Sequence, residues 1–254
     1  GLVVPLCLLA RLSGMRIVFA ETMARVTGPS LSGRVLSRLA SSVLVQWPEM
    51  TSVYPGSHLC RPALLDDIGG GESPGEGTFV AVGTHAEPFD RLLAAVDRSV
   101  EAGCLPRPVV AQCGPSSYRP RTYPTSAWMA PDELDAASAA ARYVVCHAGS
   151  GIVATALRAG RRPMVMARLR AHGEHVDDHQ RQLAEKLGEL GLAVPLDGAI
   201  GDAERRAADA PLEPARAEEL RPHMGAVLRA EVDRLADAPP VAPGTVAGAR
   251  GAAQ

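Results

Sequence analysis

The sequence predicts an α/β protein: a Rossmann-like domain with a parallel sheet, preceded by a partial domain of the same kind. Three observations carry this. From residue 78 onward, short β-branched runs alternate with helical stretches, the pattern of a doubly wound parallel sheet. Two of the strand-to-helix turns are rich in glycine and polar residues. Hydrophobic residues make up 46% and charged residues 21% of the 254, an ordinary balance for a soluble α/β chain.

The elements follow in order. Residues 2–10 (LVVPLCLLA) are apolar but far shorter than the ~20 residues that span a bilayer. No basic region precedes them, so they read as a buried strand or helix start rather than a signal peptide. The chain begins with Gly1 rather than Met, which suggests a fragment or a processed start. Residues 15–21 form a β-branched run expected to be a buried parallel strand, with Glu21 at its C-terminal end, where α/β folds place ligands. A short helix is expected over 30–39, a strand over 43–47 ending at Pro48, and a turn at Tyr54-Pro55-Gly56. Residues 66–77 are glycine-rich and read as a linker. The first segment, 1–65, supplies too few elements for a complete sheet.

The second domain, 78–200, is expected to run as strand 79–83, helix 89–102, strand 108–112, helix 131–141, strand 143–147, helix 151–159, strand 163–167, helix 178–190 and strand 193–196. A helical segment follows within 201–237, with Leu220, Met224, Leu228 and Val232 on one face. Residues 238–254 have the composition of a disordered tail.

A net charge of −2 gives no electrostatic argument for nucleic acid. Five scattered cysteines, none in a C-x-x-C pair, fit a reducing compartment and small buried hydrophobes. There is no G-x-S-x-G elbow and no Walker lysine.

Residues 147–180 are the most informative. HAGSG (147–151) follows a strand and opens a helix. Free N–H groups and the dipole of a helix start favour an anion. Gly149 and Gly151 would clear space for a phosphate and Ser150 could donate to it; the alternative is a tight turn needing glycine for packing alone. GTHAEPF (83–89) is a second such turn, and two together make a phosphate cradle. His85 can serve there as acid, base or charge partner, or be a surface histidine. GEHVDDHQ (173–180) packs Glu174, His175, Asp177, Asp178, His179 and Gln180 together. Its order is E-H-x-x-x-H, not the zinc-protease H-E-x-x-H. We therefore read it as a helix start, with Asp177 or Asp178 as cap and Gln180 in the first turn. Its polar groups would also suit sugar or ribose hydroxyls. Arg168, at a strand end, could pair with a diphosphate or a uronic acid carboxylate, or lie on the surface. This combination suggests a nucleotide-sugar site, and the lack of a D-x-D triplet points to metal-independent transfer.

VGTHAEPFDRL, Q-x-G-x-S-x-Y-x-P (112–120) and HAGSG…RLRAHGEHVDDHQ together resemble the C-terminal, donor-binding domain of family 28-type glycosyltransferases over about residues 78–197. The resemblance is nearest to the small bacterial exopolysaccharide subunit and its relative in the two-subunit UDP-GlcNAc transferase of dolichol-linked oligosaccharide synthesis. RIVFAETMARVTGPSLSGRVL and VLVQWPEM…YP resemble the C-terminal half of the membrane-associated partner subunit, through Glu21, Arg25, Ser30, Gln46, Trp47 and Pro48. The chain thus looks like both subunits fused through the 66–77 linker, without the partner's N-terminal half, its membrane anchor and its acceptor loop.

The resemblance implies a GT-B architecture, a UDP-sugar donor, inverting transfer and a lipid-diphosphate-linked saccharide acceptor. Transfer would occur at the cytoplasmic, inner face of the cell membrane, with a membrane-anchored partner chain or the missing N-terminal half. Neither a cofactor nor a metal is expected. By motif match Gly83, Thr84, His85, Gly149, Ser150 and Gly151 would face the diphosphate, with Gln112 and His147 also on the donor side. Glu174, His175, Asp178, His179 and Gln180 would contact sugar or ribose. Thr155 stands where the peptidoglycan and dolichol relatives carry a ribose-binding glutamate, as in the exopolysaccharide branch. Glu21 and Arg25 would lie on the acceptor or interdomain side. His85 is the candidate catalytic base. The rival readings are a non-catalytic donor-binding subunit and a nicotinamide-dependent enzyme of the same fold class, the latter disfavoured because the dinucleotide fingerprint and its downstream ribose-binding acid are not found together.

Overall fold

A computed structural model describes residues 3–69, 75–212 and 222–239. The chain divides into two compact units, residues 1–63 with 219–254, and residues 64–218.

The first unit holds helix α1 (Val3–Leu12), strand β1 (Val18–Ala20), α2 (Gly33–Leu39), β2 (Ser42–Val45), α3 (Met50–Val53) and β3 (His58–Leu59). Its three strands form a parallel sheet in the order β1-β2-β3, with Phe19 opposite Val43 and Val45 opposite Leu59. The apolar run at the start is a helix, not a buried strand, and its apolar side chains are mostly exposed: Leu6 is 67% and Leu9 65% accessible, while Arg11 is buried. The expected strands over 15–21 and 43–47 are shorter than their apolar runs. At the end of β1 the Glu21 N–H still bonds Leu44 O at 2.9 Å, but the chain then turns. Tyr54-Pro55-Gly56 is a turn, with Gly56 at φ +77°.

The second unit is a five-stranded, all-parallel sheet of β4 (Thr78–Ala81), β5 (Val109–Gln112), β6 (Tyr143–His147), β7 (Met164–Met166) and β8 (Val194–Leu196). The strand order is β5-β4-β6-β7-β8. Helices α4 (Asp90–Glu101), α5 (Pro131–Ala140), α6 (Ser150–Arg158), α7 (His179–Glu189) and α8 (Asp202–Asp209) connect and follow the strands. Every residue of β4 and β7 is buried, as expected for strands covered on both faces. Leu92, Leu93, Val96 and Val100 line one face of α4 and enter the core with Phe89, Val80, Val82 and Val145. Pro131 starts α5, where its missing N–H costs nothing, and the Glu133 carboxylate accepts the Ala130 N–H at 2.6 Å. Within this sheet the order reverses between β4 and β6, and doubly wound sheets bind ligands outside the carboxyl ends of strands at such a point.

The described residues of 201–237 hold two helices. Helix α8 belongs to the second unit, whereas α9 (Met224–Asp237) belongs to the first, where it packs on β1 and β2. Its buried side chains are Glu231 and Leu235, while Leu228 and Val232 are 40% and 50% exposed. The apolar stripe expected through Leu228 and Val232 is therefore rotated away from the contact. The buried face admits the charged Glu231 because Arg234 Nη2 donates to it at 2.7 Å. Leu220 and the tail from 240 lie outside the described residues.

Candidate donor-binding site

The two glycine turns leave the carboxyl ends of β4 and β6, which pair directly, Ala81 opposite Cys146. His147 ends β6 with its ring between the turns. A Cβ on Gly149 would stand 2.1 Å from His147 Nε2, and one on Gly83 would stand 2.6 Å from His147 Cε1. Gly83 also has φ +80°, a conformation that favours glycine. Gly83 and Gly149 are thus required by the imidazole, whereas at Gly151 a Cβ would meet nothing within 4 Å. At Gly149 the packing alternative to the phosphate reading therefore has a concrete cause, the His147 ring. His147 is held down to about 4, by burial first, then by the Arg168 charge, against the opposing pull of the Ala81 carbonyl. It is therefore a neutral ring at physiological pH.

Gly149 is the N-cap of α6. The N–H groups of Ser150, Gly151 and Ile152 have no acceptor within the helix, and with the helix dipole they form an anion-favouring end. Gly83 differs. Its N–H donates to Gln112 Oε1 at 2.9 Å, and Gln112 Nε2 donates back to Gly83 O at 2.9 Å. Gln112 is buried and acts as a clamp on the turn, with its polar atoms turned to backbone rather than outward. Thr84 and His85 follow at the exposed tip. His85 Nδ1 pairs with the Glu87 carboxylate, and its ring lies 4.7 Å from that of His175 at 30°.

Arg168 is not a surface side chain. It is fully buried. Its Nη1 donates to Glu87 O at 2.7 Å and Pro88 O at 3.1 Å, and its Nη2 to Val82 O at 2.8 Å. The direct pairing with diphosphate or uronate expected from its position gives way to support of the 82–88 turn. Its own backbone N–H donates to Gln180 Oε1 at 3.1 Å. Glu174 is likewise engaged inside, accepting from Arg91 Nε and Nη2 at 3.1 and 2.8 Å and from Leu169 N at 3.0 Å. Glu174 and Gln180, expected on the sugar, thus brace the loop. Asp178 stands at the N-cap of α7 but makes no side-chain cap bond. Its carboxylate accepts from Arg170 N at 2.9 Å, and it is Asp177 that accepts the His179 N–H, at 3.3 Å. His175, Asp177 and His179 converge, one ligand-capable atom each, within 4.8 Å, a grouping the sequence reading set aside. Thr155 lies on α6, its hydroxyl accepting from Arg158 Nη2 at 3.1 Å.

The motif 112–120 also holds structure. Ser116 Oγ accepts the Phe89 N–H at 2.9 Å, Ser117 and Tyr118 amides donate to Asp90, and Tyr118 Oη donates to Asp97 at 2.9 Å. Arg91 was missed by sequence reasoning. A cation in the first turn of a helix opposes the dipole, and that misfit was a usable signal for a strong partner.

Glu21 and Arg25 lie in the first unit. Glu21 is buried and accepts from Thr22 N, Ser30 N and Tyr54 Oη at 2.9, 3.0 and 2.6 Å. A Cβ on Gly33 would stand 2.3 Å from Glu21 Oε2. Gln46 Nε2 donates to Glu21 O at 3.0 Å, and Trp47 Nε1 to Met23 O at 2.6 Å. These residues knot the loop after β1.

Parallel α/β units of this kind, one with twin glycine turns at its strand-order reversal, fit the GT-B class of fold, which the solved structural neighbours share. Residues 78–194 match the family described as glycosyltransferase family 28 C-terminal domain, and residues 2–61 match the oligosaccharide biosynthesis protein Alg14-like family. The UDP-N-acetylglucosamine transferase subunit ALG14 of Mus musculus is 40% identical over 63 residues, which are 22% of this chain and 29% of that protein. The chain thus spans under a third of the curated relatives it matches. Among solved structures, MurG of Acinetobacter baumannii superposes with a TM-score of 0.59 at 19% identity, over 91% of this chain and 70% of that one. UGT89C1 of Arabidopsis thaliana gives 0.54 at 13% identity, over 85% and 63%. The chain is therefore similar to an Alg14-like protein over its first segment and to a family 28-type glycosyltransferase C-terminal domain over its second.

Proposed function

We propose that the second unit binds a UDP-sugar at the carboxyl ends of β4 and β6, and that the chain transfers its hexose or hexuronic acid, with inversion, to a lipid-diphosphate-linked saccharide in cell-surface polysaccharide synthesis. The observation that carries this reading is the α6 N-terminus, three helix-start amides set beside the His85 turn at the reversal of strand order. Those amides and the dipole would stabilise the departing diphosphate without a metal. His85, oriented by Glu87, is the candidate base for the acceptor hydroxyl. Among the described residues no helix is long and apolar enough to cross a membrane. We place the chain at the inner face of the cell membrane through a membrane-anchored partner, on the strength of its likeness to the Alg14-type subunit.

The test is calorimetric titration of the chain with UDP, then with UDP-glucuronate, UDP-galactose, UDP-glucose and UDP-GlcNAc, without added metal. Saturable UDP binding, with one sugar tighter, is the expected result. No binding to any of them sinks the donor-site reading.

A further inference from the structure

We propose that His175, Asp177 and His179 form a binding site for a zinc-class divalent cation, with a fourth coordination position open to solvent or ligand. The inference goes beyond glycosyl transfer and does not depend on it. The three residues offer ligand atoms within 4.8 Å of one another. Bonds of about 2.0–2.1 Å around a tetrahedral cation put neighbouring ligand atoms roughly 3.3 Å apart. His175 Nδ1 stands 3.4 Å from Asp177 Oδ1, close to that edge. His179 Nδ1 hydrogen-bonds the same oxygen, and a cation would take the place of the proton they share.

The surroundings favour a cation here. His175 Nδ1 accepts the Asp177 N–H in a long bond of 3.3 Å, so this nitrogen is unprotonated, and a cation would displace that bond to use its one lone pair. The nearby arginines are turned elsewhere, Arg91 to Glu174 and Arg168 to backbone carbonyls. Gly173, at φ +68°, closes the 3-10 turn Arg170–His172 and sends the chain back so that His175 meets α7. His179 packs edge-on to His175, with centroids 4.6 Å apart. Two imidazoles and one carboxylate suit zinc, nickel or copper. Magnesium and calcium ask for oxygen ligands throughout. Two nitrogens, one carboxylate oxygen and an open position is also a donor set that zinc takes in reactive sites.

The experiment uses the full chain after chelator treatment, titrated with zinc chloride by calorimetry and with cobalt(II) by visible absorption. We expect one equivalent bound, a tetrahedral cobalt spectrum without a thiolate charge-transfer band, and affinity lowered roughly ten-fold or more by His179→Ala and by Asp177→Asn. Far-UV circular dichroism of the metal-free variants checks that they fold. If the His175→Ala/His179→Ala double variant binds zinc as tightly as the parent chain, the proposal is overturned. A thiolate band in the parent chain, which assigns the metal to cysteines, overturns it without recourse to any variant. So does the absence of saturable binding. Titration with UDP in separate samples reports on the donor site alone.

Discussion

Arg168 lies over the ring of Phe89, its guanidinium carbon 4.7 Å from the ring centroid, while its nitrogens hold the carbonyls of Val82, Glu87 and Pro88. One side chain therefore braces the His85 turn from below. Arg168→Ala should cost about 2–4 kcal/mol, because it leaves buried carbonyls without donors. Arg168→Lys should recover little of this, since an ammonium cannot reproduce the planar fork. Urea unfolding checks both. A loss below about 0.5 kcal/mol, the range of ordinary surface substitutions, would refute the bracing role.

Gly149 and His147 should behave as a coupled pair. Gly149 has φ −94°, so an alanine there is not strained by its backbone, only by the imidazole. Gly149→Ala alone should cost about 1–3 kcal/mol. In a His147→Ala background the cost should fall to a fraction of that, giving a coupling of roughly 1 kcal/mol or more in a double-mutant cycle. Additive costs would mean that the glycine serves something other than the ring.

Asp97 sets an acid limit on the second unit. Burial pushes its carboxyl up, but hydrogen bonds from Thr122, Arg121 and Tyr118 outweigh this and hold it at about 2, against 3.8 ordinarily. The folded value lies below the unfolded one. The stabilisation, about 2 kcal/mol, is thus complete above pH ~4 and disappears as pH falls toward 2. Asp97→Asn should remove it at neutral pH and flatten stability between pH 4 and 2, as read by thermal unfolding.

His85 should separate turnover from binding. If it is the base, His85→Ala lowers kcat by about 10²–10⁴-fold while donor affinity by calorimetry changes little. Glu87→Gln should give a smaller loss through poorer orientation of the ring. Parallel loss of turnover and affinity would make His85 a binding residue instead.

The alternation of elements in the second unit was readable because apolar runs and glycine turns are local signals. Strand 143–147 falls where its run predicts, and the helices deviate by about a residue at their ends. Orientation of side chains was harder. Arg168, Glu174 and Gln180 read as ligand groups because they are polar and clustered. Arg168 and Glu174 are turned inward by partners such as Val82 and Arg91, more than 70 residues away in sequence, and Gln180 is held by the backbone N–H of Arg168. Helix α9 shows the same limit. A hydrophobic stripe through Leu228 and Val232 is visible in sequence, but Glu231 wins the buried face because Arg234 neutralises it. The packed α1 was expected from apolarity alone, and its exposed leucines show that apolarity does not say which surface covers a helix.

The return of α9 to the first unit has a consequence for synthesis on the ribosome. The second unit is continuous in sequence and can complete its sheet as soon as β8 and α8 have emerged. Strands β1 and β2, though made earlier, must wait for a helix translated after that whole sheet. The order of maturation is therefore inverted relative to the order of translation, and in the interval the older strands keep uncovered the face that α9 will occupy, the stage at which a nascent chain has most need of a chaperone.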